Sequence, residues 1–454
     1  MTRLRGAAAA LLLAISTPHP AAADPAEPPG AAPPEARDRA VEVSVRPDAP
    51  PPRGAFDLRA TRAQLEASPR QQTAELLSAV PGFFVDHEDG EGLGNDVYLR
   101  GWDLDHGSGI ELDVGGLPVN QPVHLLGQGY ADLAFVIPEV VTGIHVRQGV
   151  SDPRQGDAAI VGSAGLELGV AERGLRSDLS LGSFGQRRLL LVGAPRGEAT
   201  ETFAAIALRE TDGFGASRGA RSGTANLQAR LDPGAGVSLR VFGFGYSVGS
   251  EVPGIVREDD VEAGRVSLFG RYPAAAAGQG AEATRLALGA ELSAGERHGA
   301  RVTVTPWVMA TGLVVRRNYS GAVETSRLDP RRSGLGDLFE SRTEELAGGA
   351  TARVRPERLT LGAGTTLELE PGAVVRAGET DQRKRLLVPG TLEPWDTRTD
   401  AEIHTIDAAL YTDAVLERGP LRLSGGPRVD LLALAVDDAL ARRNPGGSGP
   451  GAAV

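Results

Sequence analysis

Apolar and polar residues alternate along much of the second half of this chain. Over 359–370, Leu359, Leu361, Ala363, Thr365, Leu367 and Leu369 share one face. Thr360, Gly362, Gly364, Thr366, Glu368 and Glu370 share the other. Leu286, Leu288, Ala290 and Leu292 repeat the period, as do Val237, Leu239 and Val241. A period of two is the signature of a strand with one greasy and one polar face. Asp232-Pro233-Gly234, Glu370-Pro371-Gly372 and Gly419-Pro420 read as the tight turns between such strands. About a dozen strands can be picked out over 171–454 by this rule. Runs of about ten residues, apolar outward and polar inward, suit a transmembrane β-barrel. A secreted soluble β-rich protein, whether binding protein or adhesin, would alternate in the same way.

The first half has a different texture. Thr61 to Val80 predicts a helix, interrupted at Ser68-Pro69 and stopped by Pro81-Gly82. Short strands follow at Phe83–Val85, Val97–Leu99, Ile110–Val114 and Ile144–Val146, separated by glycine-rich loops. This pattern predicts a small α+β domain over 56–170, ahead of the strand series at 171–454.

Before it, Arg3 and Arg5 precede the apolar run Ala7–Ile15, and Ala21-Ala22-Ala23 precede Asp24. That order predicts a signal peptide over 1–23, and hence export. From Asp24 to Pro52, nine of 29 residues are proline, so 24–55 predicts an extended linker that cannot bury a core. Within it Val41, Glu42, Val43, Ser44 and Val45 form one short island of alternation.

Composition narrows the chemistry. The 454 residues include 60 glycines and no cysteine, and carry a net charge of −12. The absence of cysteine excludes a disulfide scaffold, a thiolate metal site and a cysteine nucleophile. The acidic balance argues against a nucleic-acid partner, which needs basic surface. No apolar run is long enough for a membrane-spanning helix. Gly215–Gly219 and Gly245–Gly249 match the Gly-x-Ser-x-Gly nucleophile pattern at Ser217 and Ser247. Neither lies between a strand and a helix as that motif requires, so no catalytic residue and no enzyme activity are expected. His87 beside Asp86, Glu88 and Asp89, and His106 after Asp103 and Asp105, place imidazole near carboxylate. Their spacing matches no metal cage, and solvated loops are the expectation. No metal and no cofactor are expected.

Three ordered motifs in the first domain resemble a known family. Pro81-Gly82 is followed by Val97-Tyr98-Leu99-Arg100-Gly101, then by Leu112-Asp113-Val114-Gly115-Gly116-Leu117-Pro118-Val119-Asn120. This order resembles the plug of TonB-dependent outer-membrane receptors, as do Gly127–Glu139 and Gly156-Asp157 with Gly162-Ser163-Ala164. The resemblance implies a membrane β-barrel with an N-terminal α+β plug. It also implies an outer-membrane receptor for active uptake of a scarce solute, such as a siderophore or other metal complex. The island Val41–Val45, within 41–46, becomes the TonB box, a strand that TonB joins by main-chain pairing. TonB, with its ExbB and ExbD partners, a small solute or metal chelate, and outer-membrane lipid are the implied partners of a monomer. Arg100, Gly101, Asp113, Gly115 and Pro118 are the implied structural motif residues, with the arginine buried and paired. Loops 86–96, 102–109 and 120–130 are the implied solute-facing segments, with Asp103, Asp105, His106, His124, Gln128 and Tyr130 as candidate contacts.

One departure from the family is expected to matter. Plugged barrels of 22 strands need roughly 220 residues in strands alone, and this chain offers about half. It closes on the loop composition Asn444–Gly451. An incomplete barrel from a truncated or frameshifted gene is the expectation, with a non-functional receptor fragment as an alternative.

Overall fold

A computed structural model describes residues 56–68, 71–86, 92–124, 129–197, 201–234, 236–273, 276–295, 299–319 and 338–443. The signal peptide, the linker with Val41–Val45, His87, Gln128 and the segment 444–454 lie outside the described residues.

The first domain runs β1 (Asp57–Thr61), α1 (Arg62–Ala67), a 3-10 turn (Ala74–Ala79), β2 (Phe83–Asp86), β3 (Asp96–Leu99) and β4 (Trp102–Asp103). It continues through β5 (Ile110–Val114), β6 (Leu117–Pro118), a second 3-10 turn (Pro138–Val140), β7 (Val141–Gln148) and β8 (Gly162–Leu168). One sheet has the order β1-β7-β8-β5-β6, with β5 and β8 parallel; β2-β3-β4 form a second. Leu65, Leu76, Leu77, Ile110, Leu112 and Ile144 are buried between these layers.

The helix expected over Thr61–Val80 is corrected. Thr61 belongs to β1, and its N–H donates to Gln64 Oε1 at 2.8 Å to start a helix that ends at Ala67. The second piece is 3-10, a pitch of three residues per turn that brings Ala74, Leu77 and Val80 to one buried side.

The second region is one antiparallel meander. Its strands are β9 (Gly174–Leu181), β10 (Arg187–Ala194), β11 (Phe203–Thr211), β12 (Ala220–Gly234), β13 (Val237–Glu251), β14 (Gly280–Gly295) and β15 (Arg301–Arg317). Then come β16 (Leu338–Arg355), β17 (Leu359–Gly362), β18 (Thr365–Leu387), β19 (Pro394–Arg418), β20 (Leu421–Gly425) and β21 (Arg428–Asp438). From β9 to β16 each strand pairs with its neighbours in sequence order, and β16, β18 and β19 continue the run. β16 and β17 share one side of β18, as β20 and β21 share one side of β19. Among the described residues β9 does not pair with β20 or β21, so the described sheet is an open wall.

Two turn readings are corrected. The alternating run 359–370 is not one strand: it folds back between β17 and β18. Gly362, Ala363 and Gly364 all have positive φ there, at 92°, 50° and 71°. The pattern survives because Leu359 pairs directly with Leu367 and both keep one face. Glu370-Pro371-Gly372, expected as a turn, lies inside β18. Pro371 sits opposite Thr412, whose N–H points away from β18 to Pro427 O. Pro371 therefore directs its missing donor to the other side, where pairing to β17 stops at Leu367 and pairing to β16 starts at Gly372. A proline costs no ladder bond at such a gap.

The outward face is apolar: Leu208, Leu288, Val308, Leu346, Ile406 and Leu431 are all exposed on it. It turns polar toward the long-loop ends of the strands, at Glu344 beyond Leu346 and at His404 beyond Ile406. The inner face, expected to be polar, is mixed. Asn226, Gln228, Thr305 and Glu345 are buried there beside Phe242, Phe244 and Met309. The apolar members pack against the first domain, which fills the concave side; Phe244 meets Phe135 edge-on at 5.2 Å.

Candidate functional site

The seam between plug and wall is held mainly by wall side chains gripping plug main chain. Asn226 on β12 accepts the Ile137 N–H at 2.7 Å and donates to Phe135 O at 2.8 Å. Arg240 on β13 donates to Gly115 O at 2.7 Å, and Arg376 on β18 to Asn120 O at 2.5 Å. Gln121 donates to both Thr311 and Glu345, at 2.6 Å each. Glu139 meets Arg188 on β10 through two bonds of 2.8 Å. Such bonds can be exchanged for bonds to water at little net cost, unlike a greasy interface of equal area.

The motif residues build hairpins. Arg100 and Gly101 form the two-residue turn between β3 and β4, with φ of 53° and 82°. Arg100 was expected to be buried and is exposed. It is held by its main chain, whose N–H donates to Gly82 O at 2.7 Å, while the guanidinium lies 5.4 Å over the Phe56 ring. Gly115 and Gly116 make the equivalent turn between β5 and β6, where Asp113 Oδ1 accepts the Gly116 N–H and pairs across to Pro118. Its tip touches Arg240, so this motif positions plug against wall.

The expected solute contacts fall into two groups. Asp103 and Asp105 are exposed, and Asp103 accepts the Asp105 N–H at 2.9 Å. His106, His124 and Tyr130 are packed together instead. His106 Nδ1 lies 3.0 Å from Asp96 Oδ1 and 3.1 Å from Gly94 O. Tyr130 accepts the Gly94 N–H at 2.7 Å, and its ring stacks on His124 at 4.2 Å. Burial, helped by His106, Arg285 and Lys384, lowers the His124 pKa to about 3, so it stays neutral. Burial foremost, then the neighbouring Asp132, raises that of Tyr130. Asp96, Asp105 and His106 offer ligand atoms within 4.8 Å of one another, and the contacts of the His106 ring with the two carboxylates account for that grouping.

Several cavities lie between plug and wall among the described residues, and two of them are roomy. The larger, about 770 Å³, lies at the long-loop end. Gln71 and Gln72 of the plug face Arg209, Arg218 and Arg317 across it. A second, of about 300 Å³, lies nearer the short turns, where Glu111 and Asp113 face Arg353, Arg376 and Arg428. Burial pushes the Glu111 carboxyl up to about 7, against the Gly156 N–H it accepts at 2.8 Å. None of these arginines was singled out from sequence. The available signal was inward parity: Arg209 alternates with the outward Ile206 and Leu208.

Neither serine motif has the strand–turn–helix setting of a nucleophile. Ser217 lies in the loop after β11 and its Oγ accepts from Arg271 at 2.5 Å, while Ser247 lies within β13.

Residues 58–163 match the family model described as TonB-dependent Receptor Plug Domain. No curated protein matches the chain. Among solved structures it is similar to the ferric citrate transporter FecA in its unliganded form. The TM-score is 0.67 at 14% identity, over 86% of this chain and 57% of that one. It is similar also to the ferripyoverdine receptor of the Pseudomonas aeruginosa outer membrane (TM-score 0.64, 13% identity, 86% of this chain and 53% of that one). The copper transporter OprC gives 0.58 at 15% identity, over 84% and 54%. The chain thus spans little more than half the length of each. Its fold is that of these solved structures, a plug set against part of a barrel wall.

Proposed function

We propose that this chain, which carries the TonB-dependent receptor plug, serves active uptake of a scarce solute across an outer membrane. The observation that carries the reading is the seam: a plug bound through exchangeable hydrogen bonds to the inner face of a sheet whose outer face is leucine-rich. Hydrocarbon offers no partners for backbone groups, so it accepts such a sheet only within a closed barrel. Outer-membrane barrels keep short turns in the periplasm and longer loops outside, which puts the larger cavity on the outside. The wall connections fit: 235–236 and 419–420 are short, and 252–279 is long.

Solute settles at the outer end of the plug. Val41–Val45, exported behind the signal peptide 1–23, pairs with TonB, and ExbB and ExbD supply the pull from the inner membrane. The seam bonds exchange for water and the plug shifts. Solved relatives named for ferric citrate, ferripyoverdine and copper support a metal or metal chelate as cargo. Deleting 41–46 is the test: solute binding to cells persists while uptake is lost. Unchanged uptake contradicts the reading. Release of the protein from cells without detergent would favour the secreted soluble alternative.

A further inference from the structure

We propose that Glu379 of β18, with Glu402 and His404 of β19, binds a divalent transition-metal ion such as zinc on the outward face of the wall. The site faces away from the plug and its cavities, so the proposal stands apart from the uptake reading. One ligand atom from each side chain lies within 4.8 Å of the other two. Strand pairing sets this arrangement. Glu379 and His404 are directly opposite in the β18–β19 ladder, and Glu402, two residues along β19, shares their face. Opposite residues of an antiparallel pair hold their Cβ atoms about 4.5–5.5 Å apart. Leu346 of β16 lies opposite Glu379, and Ile406 is the next outward position after His404, so the three ligands sit at the rim of the apolar band. Spacing along the sequence, which led to the expectation of no metal, cannot reveal ligands that meet only across two strands.

The donor set selects the ion. An imidazole nitrogen with carboxylate oxygens suits zinc, copper or nickel, whereas magnesium and calcium favour oxygen alone. Three protein ligands at an exposed position leave the rest of the shell to water, as in open zinc sites. The groups also remain available. In the plug cluster both ring nitrogens of His106 already meet carboxylates. On the wall, His404 Nε2 lies 3.1 Å from Glu402, while among the described residues the Glu379 carboxylate has no hydrogen bond or ion pair. The surrounding charge favours a cation: Asp381 and Asp437 lie opposite Glu402 on its two neighbouring strands. The nearest arginines on this face, Arg342 and Arg383, lie one row further out and pair with Glu344 and Asp400.

The test titrates zinc into the full chain in detergent, free of any affinity tag and stripped of metal by a chelator, with calorimetry as the readout. Zinc binds saturably, and an excess of magnesium does not displace it. His404→Ala and Glu379→Gln each weaken binding by about tenfold or more, whereas Glu344→Gln, one row away on the same face, leaves it nearly unchanged. One equivalent of copper(II) in place of zinc gives a paramagnetic resonance spectrum with coupling to an imidazole nitrogen, and His404→Ala removes that coupling. These side chains lie outside the core, and circular dichroism of each variant retains the strand signal. The absence of saturable zinc binding, or a zinc affinity unchanged by His404→Ala, overturns the proposal. Displacement of zinc by magnesium overturns it as well, since it would reduce the site to acidic surface.

Discussion

Glu139 of the plug and Arg188 of β10 meet in a two-pronged ion pair, with both contacts at 2.8 Å and both side chains partly shielded from water. It stands beside Asn226, whose amide grips plug main chain in the same stretch of the seam. Planar pairing of guanidinium and carboxylate is worth more than an exposed ion pair because geometry and burial both favour it. Replacing Glu139 with Ala is expected to cost about 1–3 kcal/mol, and Arg188→Ala a similar amount. The double variant should cost less than the sum. Denaturant unfolding in detergent, followed through Trp102 of the plug, measures all three.

Asn226 is buried and satisfies a plug N–H and a plug carbonyl with one amide. Asn226→Leu keeps the volume and strands both groups. The expected loss is about 1–3 kcal/mol for each unsatisfied group, read in the same unfolding experiment. Asn226→Asp should be milder, since one oxygen still accepts the Ile137 N–H.

These seam residues were hard to read from sequence. Asn226, Gln228 and Arg240 occupy alternate strand positions, and a polar residue at such a position has the same signature whether it meets water or a plug. The plug itself was legible, because turns such as Gly115-Gly116 demand positive φ and leave glycine in fixed order. The wall was legible as alternation. What failed was turn placement at Pro371, since a proline reads as a turn unless a gap in strand pairing excuses it. The run through Ala363 failed for the opposite reason: pairing Leu359 with Leu367 lets a hairpin preserve the period of a single strand. Arg209, Arg218 and Arg317 come from separate strands and loops, and only the folded sheet brings them to one cavity.

Glu111 gives a pH dependence with a definite sign. Its carboxyl is pushed from the ordinary 4.5 up to about 7, chiefly by burial, with Asp113 and Asp157 adding to it and Arg428 opposing. The folded chain therefore holds this proton over a range where the unfolded chain has lost it. Stability falls as pH rises from 4.5 to about 7, by up to about 3 kcal/mol in total. Glu111→Gln keeps an acceptor for the Gly156 N–H and should remove this slope, leaving the variant more stable than the parent at pH 8. Unfolding free energies measured at pH 5 and pH 8 decide it; a slope unchanged by the variant contradicts the assignment.

Gly162 opens β8 with φ of 150°, and a Cβ there would lie 2.2 Å from Arg147 O on the neighbouring strand. Main chain cannot yield as a flexible side chain does. Gly162→Ala should therefore cost about 1–3 kcal/mol or more, whereas Gly149→Ala, which meets open space, should cost only the strain of its positive φ. Thermal unfolding of the two variants side by side measures the difference.

On the uptake reading, β16 turns one face to lipid and the other to the plug. Leu346 points outward and is 59% exposed, while Thr343 points inward and is 3% exposed. Because the chain has no cysteine, Leu346→Cys and Thr343→Cys can each carry a single nitroxide label without background. In lipid bilayers, the account predicts that oxygen dissolved in the membrane relaxes the label at position 346 while a water-soluble nickel chelate does not. The label at position 343 should be shielded from both. Strong relaxation of the label at position 346 by the nickel chelate would place that face in water and contradict the account.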